Sequence, residues 1–324
     1  MTLPALDVHL TEDDAEAALR ADAARGLTSS PKVLRPQLLY DARGSELFEQ
    51  ITGLPEYYPF AAEREALVGC ADEIAREAAA DTLVELGSGS STKTPVLLDA
   101  MHRAGLLRRY IPVDVSAAAL EEAVPALVEG YPDLEVSGVV GDFTRDLQSV
   151  PRGGRRMVVL LGGTIGNFEP DERRDFLAAL ADALEPGEKF LVGTDLVKDA
   201  ETLVRAYDDS QGVTAAFELN ALTVLNRVLS ADFDVDAFEY VAAWVPEASR
   251  IEMRLRARRA MTVRVAALDL EVGFTEGEEM RTEISTKFTR AGVATELADA
   301  GFTLDRWCTD PQGRFALSLA SRRP

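Results

Sequence analysis

The sequence predicts an α/β protein in which a doubly wound parallel sheet is combined with a second, α+β lobe. Strand-like and helix-like segments alternate between residues 82 and 196, which is typical of a parallel sheet covered by helices on both faces. Residues 238–288 instead carry long alternating apolar and polar runs, as expected of strands with one buried face. The 324 residues also exceed the ~250–300 at which a single core usually stops growing. We therefore expect two lobes.

Within the first lobe, short apolar runs predict the strands, and helical periodicity predicts the helices between them. The predicted strands are residues 82–86, 109–115, 134–143, 156–161 and 189–196, and the predicted helices are residues 93–104, 117–129 and 171–184. In the second lobe, helices are expected at residues 200–207 and 213–229.

The last part of the sequence returns to the first lobe. A helix at residues 293–300 and strands at 303–308 and 314–320 are predicted to close the first sheet, so the second lobe is interpreted as an insertion. Amphipathic helices within residues 12–59 are assigned to the second lobe as well. The expected division is residues 62–198 and 287–324 for the first domain, and residues 1–61 and 199–286 for the second lobe.

Composition argues against several classes of protein. The net charge of −21 argues against a nucleic-acid partner, because phosphate recognition depends on clustered Lys and Arg. The basic residues at 254–259 alternate with apolar ones and are interpreted as one solvated face. Two histidines, His9 and His102, and two cysteines, Cys70 and Cys308, are too few for a zinc site, a Ser-His-Asp apparatus or a disulfide framework.

Targeting signals are also missing from the sequence. No run approaches the ~18 consecutive apolar residues of a membrane span, and residues 1–10 lack the pattern of a secretory signal. We expect a soluble, cytoplasmic, monomeric protein that has neither a membrane nor a nucleic-acid partner and acts on a small molecule.

Three successive strands of the first lobe end in residues suited to a nucleotide-type cofactor. Residues 85–91, Glu-Leu-Gly-Ser-Gly-Ser-Ser, join a strand to a helix, where glycine permits a sharp turn and close approach of the backbone to a ligand. Asp114 ends the second strand, where its carboxylate can accept from ribose hydroxyls, and residues 141–143, Gly-Asp-Phe, end the third, where they can meet an adenine base. Structural alternatives are an ordinary strand-to-helix turn and, for Asp114, a helix N-cap.

NAD is the competing cofactor for these motifs. A dehydrogenase would need an acid such as His or Tyr for hydride transfer near the cofactor. The two histidines lie outside the strand-end motifs, which argues against that reading.

The same strand-end residues resemble the cofactor motifs of class I methyltransferases, whose domain is Rossmann-like. Further segments resemble the L-histidine Nα-methyltransferase family, which begins ergothioneine biosynthesis; they are LPEYYP at residues 54–59, GTIGN at 163–167, GTDLVK at 193–198, RAYD at 205–208 and TEISTKF at 282–288. The resemblance runs over nearly the whole chain. It implies S-adenosyl-L-methionine as methyl donor, S-adenosyl-L-homocysteine as product, and trimethylation of the α-amine of L-histidine to hercynine.

The resemblance also implies roles for individual residues. The cofactor contacts would be Gly87, Lys93, Asp114, Asp142 and Phe143. The histidine carboxylate would be held by Asn167 and Tyr207 and the imidazole by Tyr57, Glu283 and Ser285, with Tyr40 close to the substrate amine.

The residues themselves are compatible with an amino-acid acceptor. Glu283 and Ser285 are two apart in an alternating run, so both side chains lie on one strand face while Ile284 points the other way. A carboxylate and a hydroxyl can thus meet both imidazole nitrogens, although an exposed polar face is the structural alternative. Asn167 follows the fourth strand at the cofactor end of the sheet, and its alternative is an Asx turn before the next helix.

The tyrosines of the N-terminal segment have a structural alternative too. Tyr40, Tyr57 and Tyr58 can be buried rings with hydroxyls that reach water, and for Tyr58 we favour that reading. Methyl transfer itself depends mainly on positioning two reactants and requires no metal or covalent intermediate. Rival functions are N-methylation of another small amine or amino acid on the same fold, and a non-catalytic module that senses S-adenosylmethionine.

Overall fold

The computed structural model describes residues 6–89, 93–144, 147 and 151–324. These residues form two compact units. Unit 1 comprises the segment that ends at Thr11 together with Ala62–Leu196 and Phe288–Pro324. Unit 2 comprises Glu12–Ala61 and Val197–Lys287.

The strands and helices follow one another along the chain in two patterns, alternating in unit 1 and segregated in unit 2. The strands are β1 Asp7–Val8, β2 Lys32–Val33, β3 Thr82–Leu86, β4 Arg109–Asp114, β5 Glu135–Val136, β6 Val139–Val140, β7 Arg156–Leu160, β8 Lys189–Asp195, β9 Phe238–Val245, β10 Arg250–Ala257, β11 Met261–Val265, β12 Leu270–Phe274, β13 Glu279–Thr286, β14 Phe302–Thr309 and β15 Phe315–Arg322. The α-helices are α1 Glu12–Thr28, α2 Ala42–Thr52, α3 Tyr58–Ala78, α4 Thr94–Arg103, α5 Ala117–Gly130, α6 Pro170–Ala183, α7 Ala200–Tyr207, α8 Val213–Leu229 and α9 Arg290–Asp299.

Unit 1 is built on one twisted sheet. Its strand order is β1-β6-β4-β3-β7-β8-β15-β14, with β5 also paired to β4. The strands from β1 to β8 in this sheet pair in parallel, whereas β15 runs antiparallel between β8 and β14. The predicted parallel sheet is confirmed, and so is its closure by the two last strands.

Alternation along the central strand explains the two helical layers. Every residue of β3 is buried. Leu83 packs into a cluster with Leu97 and Met101 of α4, whereas Val84 belongs to a different cluster that contains Phe176 of α6. Since successive side chains point to opposite faces of a strand, β3 fills cores on both sides of the sheet, as the doubly wound prediction requires.

Unit 2 combines the sheet β2-β13-β10-β9 with the hairpin β11-β12. Its apolar core includes Leu255 and Met280 from the sheet and Leu222 and Leu225 from α8. Between β10 and β13 the register shifts after Met253, so Thr282 of β13 is an extra residue opposite the other strand.

The outer face of that sheet is covered by ion pairs. Arg254 contacts Glu252 at 2.6 Å and Glu279 at 2.7 Å, and Arg256 contacts Glu279 at 2.7 Å. Arg254 and Arg256, two of the basic residues singled out in the sequence, therefore alternate along β10 and neutralise carboxylates of neighbouring positions.

The structure differs from the sequence prediction at the domain boundaries and in one strand. Residues 197–198 and Lys287, which were expected in the first domain, belong to unit 2. Residues 6–11, which were expected in the second lobe, belong to unit 1 because β1 pairs with β6. The single strand expected at residues 134–143 consists of the two short strands β5 and β6, which both pair with β4. Gly138 lies between them, and a Cβ there would meet Leu6 at 2.6 Å. Neither two-residue strand is long enough to show a periodicity.

The two cysteines are distant in sequence but adjacent in unit 1. Cys70 of α3 hydrogen-bonds Cys308 of β14, and this contact together with burial raises the pKa of the Cys70 thiol. Both are free thiols. Among the described residues, no helix is long and apolar enough to cross a membrane.

Candidate functional site

The turn after β3 depends on two glycines. Gly87 and Gly89 have φ angles of 67° and 48°, a region that residues with a Cβ rarely adopt. The amide of Gly87 donates to the carbonyl of Val113 at 2.8 Å, which holds the turn against β4. A Cβ at Gly87 would lie 3.3 Å from the ring of Phe143, so the missing side chain lets the ring lie over the turn. Ser90 and Ser91 of the same motif lie outside the described residues.

Asp114 is fastened to this turn by its carboxylate. Its Oδ2 accepts from the amide of Gly89 at 2.8 Å, and its Oδ1 accepts from the amide of Ser116 at 2.9 Å. Ser116, rather than Asp114, is the N-cap of α5, since its hydroxyl accepts from the amide of Ala119 at 3.2 Å. Within the part of the chain that the structure describes, a Cβ at Gly89 would meet no atom within 4 Å.

The end of the third strand segment joins the same cluster. The amide of Gly141 donates to the carbonyl of Asp114 at 2.9 Å. The carboxylate of Asp142 accepts from the amide and hydroxyl of Thr144 at 2.9 and 2.5 Å. Phe143 packs edge-on against Phe176, with ring centroids 6.1 Å apart. An aromatic ring and two carboxylates around a glycine turn fit an adenosine, whose base stacks and whose hydroxyls donate.

Lys93 is the N-cap residue of α4, and its ammonium group reaches toward Gly162, which follows β7. It forms an ion pair with Glu63, a fully buried residue of α3 that the sequence did not single out. The same carboxylate accepts from the amide of Gly162 at 2.8 Å. Glu63 therefore links Lys93 to the backbone at Gly162, at the same end of the sheet as the glycine turn around Gly87.

Glu85 begins the glycine motif but has a structural role. Its buried carboxylate accepts from the hydroxyls of Thr94 at 2.6 Å and Tyr110 at 2.5 Å. Burial raises the pKa of Glu85 to about 7, although these two hydrogen bonds and Lys93 act in the opposite direction. The side chain ties β3 to β4 and to α4, and this holds the turn in place.

Asn167 ends a 3-10 turn, Thr164–Asn167, directly after β7. The helix α6 that follows is capped by Glu169, which forms a capping box with Glu172. The Asx-turn alternative for Asn167 is therefore not needed to start α6. Asn167 is half-buried in unit 1, whereas the other predicted substrate residues belong to unit 2.

Unit 2 brings three predicted tyrosines into one aromatic cluster. Tyr57 packs edge-on against Tyr207 at 5.9 Å and against Phe48 at 6.3 Å, and Tyr40 packs against Phe48 at 5.6 Å and Phe217 at 5.4 Å. Tyr40 exposes 46% of its surface, yet desolvation by surrounding protein, followed by Glu283, holds its pKa well above the usual value. Its phenol therefore stays protonated although part of the side chain is exposed.

A triangle of polar atoms lies beside this cluster. The hydroxyls of Tyr207 and Ser285 are 2.8 Å apart, and Lys287 Nζ lies 2.7 Å from each of them. Lys287 exposes only 2% of its surface and lies 4.5 Å from the centre of the Tyr207 ring. The predicted residues Tyr207 and Ser285 are thus in direct contact, and both also contact a lysine that was not predicted.

Two carboxylates face the same region. Burial raises the pKa of Glu283 to about 8, against the opposing effect of Lys287. Glu218 of α8 accepts from the hydroxyl of Thr282 at 2.5 Å, and burial followed by repulsion from Glu283 holds its pKa well above the usual value. Unit 2 therefore places acids and a cation around one group of tyrosines.

Several of these residues carry no signal in the sequence. Phe48, Phe217 and Glu218 lie on helices and look like ordinary residues of a helix face, while Lys287 was noticed only as part of the TEISTKF string. Tyr58, by contrast, follows the structural reading, since it is buried and accepts from Lys198 Nζ at 2.7 Å.

Comparisons with known proteins identify relatives of the chain. The sequence model of a family described as histidine-specific, SAM-dependent methyltransferases matches residues 19–322. The chain is 58% identical to the histidine N-alpha-methyltransferase of Mycolicibacterium smegmatis, over 99% of this chain and 100% of that protein. It is 33% identical to the ergothioneine biosynthesis protein 1 of Schizosaccharomyces pombe, over 70% of this chain and 31% of that protein. The solved structure of the mitomycin 7-O-methyltransferase aligns with a TM-score of 0.48 and 16% identity, over 96% of this chain and 69% of that one.

Proposed function

Because the chain belongs to the family of SAM-dependent, histidine-specific methyltransferases, we propose that it trimethylates the α-amine of L-histidine to hercynine, the first step of ergothioneine biosynthesis. The observation that carries the proposal is the 58% identity, over 99% of this chain, to a protein named histidine N-alpha-methyltransferase. The polar group formed by Tyr207, Ser285 and Glu283 supports it, because this group offers both donors and an acceptor.

In this proposal unit 1 holds the methyl donor. Gly87 brings the backbone close to the ligand, Asp114 accepts from the ribose hydroxyls, and Asp142 and Phe143 receive the adenine. Lys93, which is paired with Glu63, is assigned to the cofactor site as well. S-adenosylmethionine supplies a methyl group on a positively charged sulfur.

Unit 2 holds the amino acid in the same proposal. Tyr207 donates to the carboxylate, and Asn167 of unit 1 is assigned to the carboxylate by the family resemblance. Glu283 accepts from one imidazole nitrogen, Ser285 donates to the other, and Tyr57 lies against the ring.

The reaction needs an unprotonated amine in line with the methyl–sulfur bond. The nitrogen lone pair forms the new bond to carbon, the carbon–sulfur bond breaks with its electrons remaining on sulfur, and the amine loses a proton in each of the three rounds. Because its pKa is raised, Tyr40 is a neutral hydroxyl, and we assign it to positioning the amine. Positioning alone supplies on the order of 7–11 kcal/mol of a barrier of this kind.

The proposal is tested by following mono-, di- and trimethylated histidine by mass spectrometry in a time course with excess S-adenosylmethionine. Trimethylated histidine should be the end point, since the aromatic residues Tyr40 and Tyr57 attract an alkylated ammonium by ~0.5–2 kcal/mol and so keep partly methylated substrate bound. Accumulation of monomethylhistidine as the final product would refute trimethylation. A parallel incubation with other amino acids tests the choice of substrate.

Selectivity for histidine should depend on Glu283. Sites built to hydrogen-bond a substrate group reject analogues that lack it, so Glu283→Ala should lower the preference for histidine over phenylalanine far more than it lowers cofactor affinity. Competition assays with both amino acids measure this ratio, and an unchanged ratio would remove Glu283 from the imidazole site.

A further inference from the structure

Lys287 occupies an unusual position for a lysine. It follows β13, and its backbone amide donates to the carbonyl of Ser249 at 2.7 Å, which fixes the start of the side chain. Its ammonium is buried and meets the hydroxyls of Tyr207 and Ser285. Lysine is almost never fully buried unless it is paired, and desolvating an ammonium is costly. The ammonium is therefore held in a fixed position by its partners, and two of them are these hydroxyls.

The hydrogen atoms of the triangle can be counted. An ammonium has three donors and no acceptor, and each hydroxyl has one hydrogen. Both hydroxyl oxygens must therefore accept from Lys287, and the contact between Tyr207 and Ser285 uses one of the two hydroxyl hydrogens. One hydroxyl hydrogen remains, and it must point away from the triangle. The triangle thus directs one hydroxyl hydrogen outward, next to a positive charge.

Substrate binding changes this arrangement in a simple way. If the hydrogen bond between Tyr207 and Ser285 opens, both hydroxyl hydrogens become available while both oxygens stay held by Lys287. A carboxylate and an unprotonated imidazole nitrogen both accept hydrogen bonds and donate none. The two hydroxyls are then matched to two acceptors of one amino acid.

The surrounding charges favour the same interpretation. Glu283 lies on β13, which Lys287 follows, and Glu218 lies on α8. Both carboxylates raise the pKa values of the phenols of Tyr40 and Tyr240. Lys287 is the positive charge that offsets the burial of Glu283. Without it, the region would combine buried acids with a negatively charged substrate carboxylate.

We propose that Lys287 is a positioning residue for the amino-acid substrate, which holds Tyr207 and Ser285 as hydrogen-bond donors toward the substrate carboxylate and imidazole. The inference rests on the proposed function. It adds a residue that acts through two others and does not itself touch the reacting amine.

The test is a double-mutant cycle measured on histidine methylation. Lys287→Met keeps an unbranched side chain without charge or donors, and Lys287→Gln keeps donors without charge. Loss of hydrogen bonds to a charged group costs ~1.5–3 kcal/mol, so Lys287→Met should raise the KM for histidine by roughly ten to a hundred fold, and Lys287→Gln by less. In a Tyr207→Phe/Ser285→Ala background, the same substitution should change kcat/KM by less than about threefold, because residues acting as one unit are not additive.

A matched control separates this role from stability. Lys32 of β2 is a half-buried lysine in the same unit, and it pairs with Glu278. Lys32→Met should leave the KM for histidine unchanged, and the affinity for S-adenosylhomocysteine, measured by calorimetry, should be unchanged in all variants. If Lys287→Gln leaves the KM at the wild-type value, or if Lys287→Met has the same effect in both backgrounds, the inference is overturned. If wild-type protein does not methylate histidine, the proposed function fails and this inference fails with it.

Discussion

Asp114 is the side chain through which the predicted cofactor site can be tested most directly. Its two carboxylate oxygens accept from the backbone amides of Gly89 and Ser116. Because a hydrogen bond to a charged group contributes ~1.5–3 kcal/mol, Asp114→Ala should weaken S-adenosylhomocysteine binding by roughly ten to a hundred fold in calorimetry. Ser116→Ala is the control, since it removes the N-cap of α5 and should reduce stability without changing affinity. Equal affinities for Asp114→Ala and the wild type would contradict the assignment.

Glu283 should give the reaction a distinctive pH dependence. Its raised pKa of about 8 means that below this pH it is mostly a neutral acid, which is a much weaker acceptor for an imidazole N–H than the carboxylate is. The substrate amine must also lose a proton, so log kcat/KM should rise with a slope near two below pH ~7.5. In Glu283→Gln the carboxyl titration is absent, and the slope should fall to near one.

The slope separates Glu283 from the other titrating groups in its surroundings. Lys287, Glu218, Tyr40 and Tyr240 remain in the variant, and so does the substrate amine. A wild-type slope that persists in Glu283→Gln would assign the titration to one of those groups instead.

At the scale of elements, Glu85 links β3, β4 and α4 through one buried carboxyl group. Its pKa of about 7 in the folded protein lies above the ordinary value of 4.5. The folded state therefore binds this proton more tightly than the unfolded state, so the stabilising contribution is complete below pH ~4.5 and is lost as the pH rises through about 7. Urea denaturation at pH 5.5 and pH 8 should show that Glu85→Gln gains stability relative to the wild type at the higher pH.

Glu188 is a buried carboxylate whose pKa is lowered, whereas that of Glu85 is raised. It is paired with Arg156 at 2.6 Å in the interior, and although burial acts against it, the hydrogen bond from Arg156 holds the pKa of Glu188 below its usual range. Glu188→Gln should therefore cost stability at both pH values, by about 3–5 kcal/mol if the buried Arg156 is left unpaired. If the free energy of unfolding changed equally between the two pH values in Glu85→Gln and in the wild type, Glu85 would not be the titrating group.

The sequence predicted those helices and strands well whose hydrophobic pattern extends over at least five residues. The bounds of α7 and α8 agree with the expected ones, and β3 and β7 were located to within a residue. Two-residue strands such as β1 leave no pattern, and their position depends on a partner that is distant in the chain.

The site was predicted in part for the same reason. Asp114 and the glycine turn are recognisable because strand ends are fixed by local sequence. The contact between Lys287 and Tyr207 joins residues from different elements of unit 2, and only the fold reveals it. The role of Glu85 was likewise hidden, because its partners Thr94 and Tyr110 come from α4 and β4.

For the whole molecule, the excess of negative charge should control stability in solution. At a net charge of −21 the folded chain repels itself, and salt screens this repulsion over a Debye length of ~10 Å at 0.1 M. The urea midpoint should therefore rise when NaCl is increased from about 0.02 to 0.3 M at pH 7.5. A fall in the midpoint would mean that ion pairs such as those of Arg254 and Glu279 contribute more than the net repulsion does.

The position of β15 between β8 and β14 has a consequence for the order of events during protein synthesis. β8 and β15 pair residue by residue, from Asp195 with Phe315 to Lys189 with Ser321, yet roughly 120 residues separate them in the chain. At ~5–20 residues per second, the ribosome needs about 6–24 s to make that intervening stretch. During this interval β8 is an open edge of apolar residues, which is the type of edge that recruits strands from other chains. The stretch that delays closure of the sheet is mostly unit 2, so the edge of β8 stays open while the ribosome makes the unit that we propose binds the amino acid.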